Sequence, residues 1–283
     1  METLIAIAAS TYRARLEDSC DAAAMTQSAV LVADGVGTLP HCGEAAHFVV
    51  SEGACQLQKR HNIGQLPQLF PTLQTALSQH AAPVCATESL KTSASFATTL
   101  LLATNTADAL GIAYVGNGAI FHLPGDFTSF GAGMALPWTF ANLLRPHCTA
   151  NISGKAALTR HFDATGDPSA VEPTTLWVRK DNTVGDILVL CTDGIFSSDQ
   201  VLCGNPGDGT RWQEVPHTLI RLHETLRAAF CSPEPLTQER LQAALQKMLD
   251  DLRTQGELDD DATIGLLVTE AAIHYHESQG VKA

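Results

Sequence analysis

Residues 29–37 read Ala-Val-Leu-Val-Ala-Asp-Gly-Val-Gly, an apolar run of strand length that stops at Asp34-Gly35. Residues 186–194 repeat the pattern, with Ile-Leu-Val-Leu-Cys followed by Thr192, Asp193 and Gly194. Nearly continuous apolar runs that end at a turn signal are typical of buried strands. Each strand would therefore carry a carboxylate to its end, where glycine allows the backbone to turn. Two acids in equivalent positions predict a site for a cation.

The order of predicted elements indicates an α+β fold. Strands come first, then two helices, a run of strands, two more helices and a last strand, which differs from the strict alternation of a parallel sheet. The predicted helices cover residues 43–60, 66–79, 213–230 and 237–253. Residues 81–93 and 199–209 are interpreted as loops. We expect a single domain over residues 1–283, with an irregular, insertion-like segment at about 129–182.

The composition limits the partners of the chain. Among 283 residues there are 30 acidic and 17 basic side chains, which give a net charge of −13. This balance argues against binding to nucleic acid or to an anionic membrane surface. No apolar run approaches the ~20 residues of a membrane-spanning helix, and residues 1–4 do not resemble a signal peptide. We therefore expect a cytoplasmic protein with reduced cysteines; the sequence does not fix its oligomeric state.

Further acids have contexts similar to those of Asp34 and Asp193. Glu17 and Asp18 follow the first strand, and Asp260 and Asp261 open the last one. Each Asp-Gly pair alone is as well explained by a common turn. If these strand ends meet, however, the carboxylates repel one another unless a cation compensates. Oxygen ligands without histidine or cysteine favour Mg²⁺ or Mn²⁺ over zinc.

The order of these motifs resembles the metal-dependent protein phosphatases of type 2C, over about residues 3–269. Their Arg-x-x-Asn-Glu-Asp segment is similar to residues 13–18, with Leu16 in place of asparagine. A second motif resembles Asp34-Gly35-Val36-Gly37 together with Gly43-Glu44, and the other four resemble Ala97-Thr98-Thr99, Gly116-Asn117-Gly118-Ala119, Thr192-Asp193-Gly194 and Asp260-Asp261-Ala262-Thr263. Each motif alone is weak, but six in the family's order are fairly specific.

The resemblance implies a four-layer αββα sandwich with two Mn²⁺ or Mg²⁺ ions at one end. It implies that Asp34 bridges both ions and that Asp193 and Asp260 complete the ligands of the first. Glu17 and the carbonyl oxygen of Gly35 would serve the second ion. In this reading Arg13 binds the substrate phosphate, Arg13 and Asp34 are the catalytic residues, and Asp18 and Asp261 support the site. Arg15 is an alternative phosphate ligand, because strand alternation places it on the same side as Arg13, and only the family spacing favours Arg13. A water held between the ions would attack the phosphorus of a phosphoserine or phosphothreonine in a protein substrate.

Several positions depart from the family pattern. Leu16 cannot make the hydrogen bond of the family's asparagine. Asn117 replaces an aspartate, and because an amide carries no negative charge we expect its contact with the site to be weaker. The Asp-His step that usually follows the hairpin in this family, and often supplies a ligand to a third metal ion, has no match in residues 125–138. Val36 stands where some members have a histidine that acts as the acid. Two alternatives to a protein phosphatase stay open: a pseudophosphatase that only binds, and a metal-dependent hydrolase of small phosphate esters.

Overall fold

The structure is a computed structural model. It describes residues 3–11, 19–37, 40–59, 66–87, 96–129, 141–150, 156–164, 168, 171–195, 200–204 and 212–280. Within these residues, none of the helices has the length and apolar character needed to cross a membrane.

The strands form two large antiparallel sheets and three small pairs. In chain order they are β1 (Leu4–Ser10), β2 (Asp21–Met25), β3 (Ala29–Asp34), β4 (Ala97–Thr98), β5 (Leu100–Asn105), β6 (Ala109–Val115), β7 (Ala119–Pro124), β8 (Ala141–Asn142), β9 (Cys148–Ala150), β10 (Ala156–Leu158), β11 (Phe162–Asp163), β12 (Thr174–Arg179), β13 (Asp186–Cys191), β14 (Gln200–Gly204), β15 (Trp212–Pro216) and β16 (Ala262–Val268). One five-stranded sheet has the order β1-β16-β13-β7-β8, and the other has β12-β6-β5-β3-β2.

The helices cover the outer faces of the two sheets. They are α1 (Cys42–Lys59), α2 (Leu66–Thr87), α3 (His217–Phe230), α4 (Gln238–Gln255) and α5 (Glu270–Gly280). Helices α1 and α2 pack on the sheet that contains β3, and they share a hydrophobic core with it. Helices α3 and α4 pack on the sheet that contains β13 in the same way. The predicted αββα sandwich is therefore confirmed.

A third core lies between the two sheets and explains the apolar runs of the sequence. Val30 and Val32 of β3 meet Leu188 and Leu190 of β13 there, together with Leu267 of β16. The alternate residues of the same strands face the helices, so both faces of β3 and β13 are covered. A strand buried on both faces has no polar side, which is why these runs do not alternate.

Three local predictions were wrong, because tertiary contacts outweigh local signals. Residues 81–87 continue α2 across Pro83. Within the segment 129–182, which was expected to be irregular, residues 174–179 form β12 and pair along their length with β6. Residues 200–204 and 212–216 form a hairpin, so α3 begins at His217.

Candidate metal centre

The predicted acids meet at one end of the sandwich because of strand direction. Asp34 ends β3, and Asp193 follows the end of β13. Asp260 lies two residues before β16, which runs antiparallel to β13. The charges of Asp193 and Asp260 both act on the carboxyl group of Asp34. Two sheets thus bring three predicted ligands into one electrostatic cluster.

The backbone of Asp34 is held in place by two threonines: Thr98, the last residue of β4, and Thr99, which follows it. Its N–H donates to Thr99 Oγ1 at 3.0 Å, and its carbonyl oxygen accepts from the Thr99 N–H at 2.8 Å and from Thr98 Oγ1 at 2.9 Å. The next residue, Gly35, donates its N–H to the carbonyl oxygen of Cys20 at 2.9 Å. The Ala97-Thr98-Thr99 motif therefore fixes the strand end that presents Asp34.

The side chain of Asp193 is held by Asn117, which lies in the turn between β6 and β7. Asn117 Nδ2 donates to Asp193 Oδ2 at 2.6 Å. An amide can donate this bond, whereas an aspartate at the same position would repel Asp193. The expected weaker contact at Asn117 stays a prediction, while the structure shows a direct hydrogen bond from its amide to Asp193.

Asp260 and Asp261 have different environments although they are neighbours. Asp260 is exposed, and its Oδ1 accepts from the N–H of Asp261 at 2.8 Å. The Asp261 carboxylate is buried; it accepts from Thr11 Oγ1 at 2.5 Å and from the Cys20 N–H at 2.8 Å. Thr11 follows β1 and Cys20 precedes β2, so Asp261 links the start of β16 to the end of β1 and to the segment that leads into β2.

Asp21, at the start of β2, is a further acid that the sequence analysis missed. It lies directly opposite Asp34 in the β2–β3 ladder and is buried. Its Oδ2 accepts from Thr192 Oγ1 at 2.7 Å. The short, alanine-rich strand β2 has no strong local signal, so only the strand register could reveal this neighbour.

The close acids alter the ionisation of two carboxyl groups. Burial, followed by the charges of Asp21 and Asp193, raises the pKa of Asp34 well above its usual range. Burial also raises the pKa of Asp21 to about 7, while the hydrogen bond from Thr192 partly offsets the rise. Such shifts are typical of functional sites that gather like charges.

The donor set fits a hard divalent cation. The donors are carboxylate oxygens, and the amide oxygen Oδ1 of Asn117 is buried without a hydrogen-bond partner among the described residues. A buried acceptor without a donor is costly, and a cation would satisfy it. Within the described ranges, no three His, Cys, Asp or Glu side chains already stand in metal-binding geometry.

Four residues of the predicted site lie outside the described residues. They are Arg13, Leu16, Glu17 and Asp18. The roles assigned to Arg13 in phosphate binding, to Glu17 in metal binding and to Asp18 in support therefore stay predictions. The roles of Asp34, Gly35, Asp193, Asp260 and Asp261 also stay predictions, although the structure gives their surroundings.

A four-layer αββα sandwich with carboxylates gathered at one end defines the class of fold and site. The sequence model of the protein phosphatase 2C family matches residues 13–250. That match covers most of the chain, and the chain belongs to this family. Its enzyme class is that of the phosphoprotein phosphatases.

Solved structures of bacterial serine/threonine phosphatases share the fold. The Mycobacterium tuberculosis phosphatase PstP/Ppp is 15% identical, with a TM-score of 0.61, and the match covers 95% of this chain and 100% of that one. The PstP catalytic domain in complex with two manganese ions is 16% identical, with a TM-score of 0.58, and the match covers 94% and 97%. The S. agalactiae serine/threonine phosphatase is 14% identical, with a TM-score of 0.62, and the match covers 95% and 100%. Among curated proteins, none matches this chain significantly by sequence.

Proposed function

We propose that this protein is a metal-dependent serine/threonine protein phosphatase, formed as a single catalytic domain. The observation that carries the proposal is the meeting of Asp34, Asp193 and Asp260 at the end of two different sheets. The PstP domain of the same fold was solved with two manganese ions, which supports two Mn²⁺ or Mg²⁺ ions here. The eight cysteines are free thiols, which supports a reducing, cytoplasmic setting.

In the proposed site Asp34 would bind both cations. Asp193 and Asp260 would complete the ligands of the first, while Glu17 and the Gly35 carbonyl oxygen would serve the second. Asn117 keeps Asp193 oriented through its 2.6 Å hydrogen bond. Asp261 supports the site by holding the Cys20 segment, whose carbonyl oxygen in turn fixes Gly35.

The chemistry proposed is direct hydrolysis of a phosphate monoester. The bound cations would acidify a water and offset the charge of the transferring phosphoryl group. Arg13 would orient the phosphate, since its planar guanidinium donates two parallel hydrogen bonds to phosphate oxygens. The carboxylates Asp34 and Asp193 hold this arrangement in place, so most of the rate gain would come from position and charge. No covalent phosphoenzyme is needed.

The test is hydrolysis of p-nitrophenyl phosphate and of a phosphothreonine peptide, with Mn²⁺ and with a chelator. We expect phosphate release that requires Mn²⁺ in the wild-type protein. Asp193→Asn keeps the size of the side chain but removes the charge, so we expect it to lower kcat/KM by about 100-fold or more. Asp34→Asn should do the same while circular dichroism shows an intact fold.

Asp250→Asn is a matched control, because Asp250 lies on α4 and its side chain contacts Gln246 and Arg253. It should retain the wild-type rate. Equal rates with and without Mn²⁺, or wild-type rates in Asp193→Asn, would contradict the proposed centre. Saturable Mn²⁺ binding without any phosphate release would instead show a pseudophosphatase. Release from p-nitrophenyl phosphate but not from the peptide would show a hydrolase of small phosphate esters.

A further inference from the structure

Asp21 is a buried acid beside the candidate metal centre that the family-derived ligand set does not include. Only 4% of its surface is exposed. In the β2–β3 ladder it is the direct partner of Asp34. Directly opposed residues of an antiparallel pair project to the same face with their Cβ atoms ~5 Å apart. The register therefore points both carboxyl groups into the same small volume.

The contacts of Asp21 connect it to both sheets of the site. The charge of Asp21 acts on the carboxyl group of Asp34. Asp21 Oδ2 accepts from Thr192 Oγ1 at 2.7 Å, and Thr192 directly precedes Asp193. The Thr192 hydroxyl also accepts from the N–H of Thr263 at 2.9 Å. Asp21 is thus fixed in the middle of the group formed by Asp34, Asp193 and the start of β16.

The surroundings of Asp21 are acidic. The charged side chains that act on it within the described residues are Asp261 and Asp34. Like charges that are buried together are unfavourable unless a cation compensates. A second and independent observation is that Oδ1 of Asn117, the amide that holds Asp193, is buried without a hydrogen-bond partner among the described residues, and a bound cation would satisfy this acceptor.

We infer that Asp21 supplies an additional carboxylate to the metal centre, beside Asp34, and thereby strengthens its binding of a divalent cation. This inference rests on the proposed metal-dependent function and deepens it. The alternative is that Asp21 only accepts the Thr192 hydrogen bond and holds the two sheets together. The two roles differ in their need for charge, because an amide oxygen can accept from Thr192 as well as a carboxylate oxygen does.

The experiment is a calorimetric titration of the full chain with Mn²⁺, comparing wild type, Asp21→Asn and Asp186→Asn. Asp186 is a matched control: it is 3% exposed, opens β13 at the opposite end of the strand from Asp193, and also accepts a hydrogen bond. We expect Asp21→Asn to raise the Kd for Mn²⁺ by about 10- to 100-fold. Asp186→Asn should leave the Kd unchanged.

A second variant and the wild-type protein make the outcomes separable. Asp21→Ser removes the charge and keeps a hydroxyl beside Thr192. It should weaken Mn²⁺ binding to the same extent, and it takes the place of Asp21→Asn if that variant does not fold. An unchanged Kd in a folded Asp21 variant, while wild type binds Mn²⁺ and hydrolyses phosphothreonine peptide, would overturn this inference and leave the proposed function intact. Wild type that neither binds Mn²⁺ nor hydrolyses the peptide would overturn both.

Discussion

At the scale of single residues, Asn117 shows how one hydrogen bond can change the meaning of a substitution. As a departure from the family's aspartate it suggested a weakened site. Its Nδ2 instead makes a 2.6 Å bond with Asp193 Oδ2, which a second carboxylate would not make. Hydrogen bonds that involve an ionised group are shorter and stronger than neutral ones. Asn117 therefore fixes the orientation of Asp193.

Asn117→Ala tests this role. Loss of a hydrogen bond to a charged group costs about 1.5–3 kcal/mol, and the released Asp193 side chain would sample other orientations. We expect weaker Mn²⁺ binding and a lower kcat, with the KM for phosphopeptide nearly unchanged. Asn182→Ala, at an exposed asparagine, is the control and should match wild type. A wild-type Mn²⁺ affinity in Asn117→Ala would show that Asp193 does not need this bond.

At the scale of elements, the Asp34-Gly35 turn packs tightly against the start of α1. A Cβ added to Gly35 would lie 2.5 Å from the carbonyl carbon and oxygen of Cys42. Backbone atoms cannot move aside as a flexible side chain can, so the turn and the helix exclude any side chain here. The glycine that follows Asp34 is thus required by close approach.

Gly35→Ala is therefore expected to push the Asp34 turn away from α1. We predict a lower melting temperature and the loss of most Mn²⁺-dependent hydrolysis, although the carbonyl group of residue 35 is retained. Gly37→Ala is the matched control: no atom lies within 4 Å of its added Cβ, and the cost is the strain of a φ of 69°, about 1 kcal/mol. Near-wild-type hydrolysis by Gly35→Ala would contradict the close packing.

At the scale of the whole molecule, the gathered acids make stability depend on pH. The folded-state pKa values of Asp21 and Asp34 are raised, so the folded protein holds these protons more tightly than the unfolded chain. The stabilisation is present at low pH and is lost as pH rises towards about 7. Burial lowers the pKa of His223 to about 4, which gives the opposite trend below neutral pH. A variant is needed to separate the two.

Asp34→Asn supplies this separation because it leaves His223 in place. We expect the metal-free variant to become more stable relative to wild type as pH rises from 5 to 8, since each unit of pKa shift is worth about 1.4 kcal/mol. Saturating Mn²⁺ at pH 8 should reverse the order, because only wild type keeps the full carboxylate set. Thermal unfolding followed by circular dichroism measures both effects. A stability difference between the two proteins that does not change with pH would show that folding does not raise the pKa of Asp34.

Local sequence signals are sufficient to predict the strands that carry the site and the residue types at their ends. The apolar runs before Asp34 and Asp193 are readable because both of their faces are buried. The helices from residues 42 and 66, and α4, follow from helical periodicity, which is also a local property. Together with the order of the motifs, these signals indicate the family without any knowledge of tertiary contacts.

Which side chains come into contact depends on tertiary packing. Asp21 is absent from the predicted site because strand β2 is short, and its place opposite Asp34 depends on the register of the ladder. The Asn117–Asp193 bond joins residues 76 positions apart in sequence. The edge strand β12 and the β14–β15 hairpin form through pairing with partners, and their local sequence does not predict them. Local sequence patterns determine which helices and strands form. Strand register and packing determine which residues come into contact, because both depend on the free energy of the whole fold.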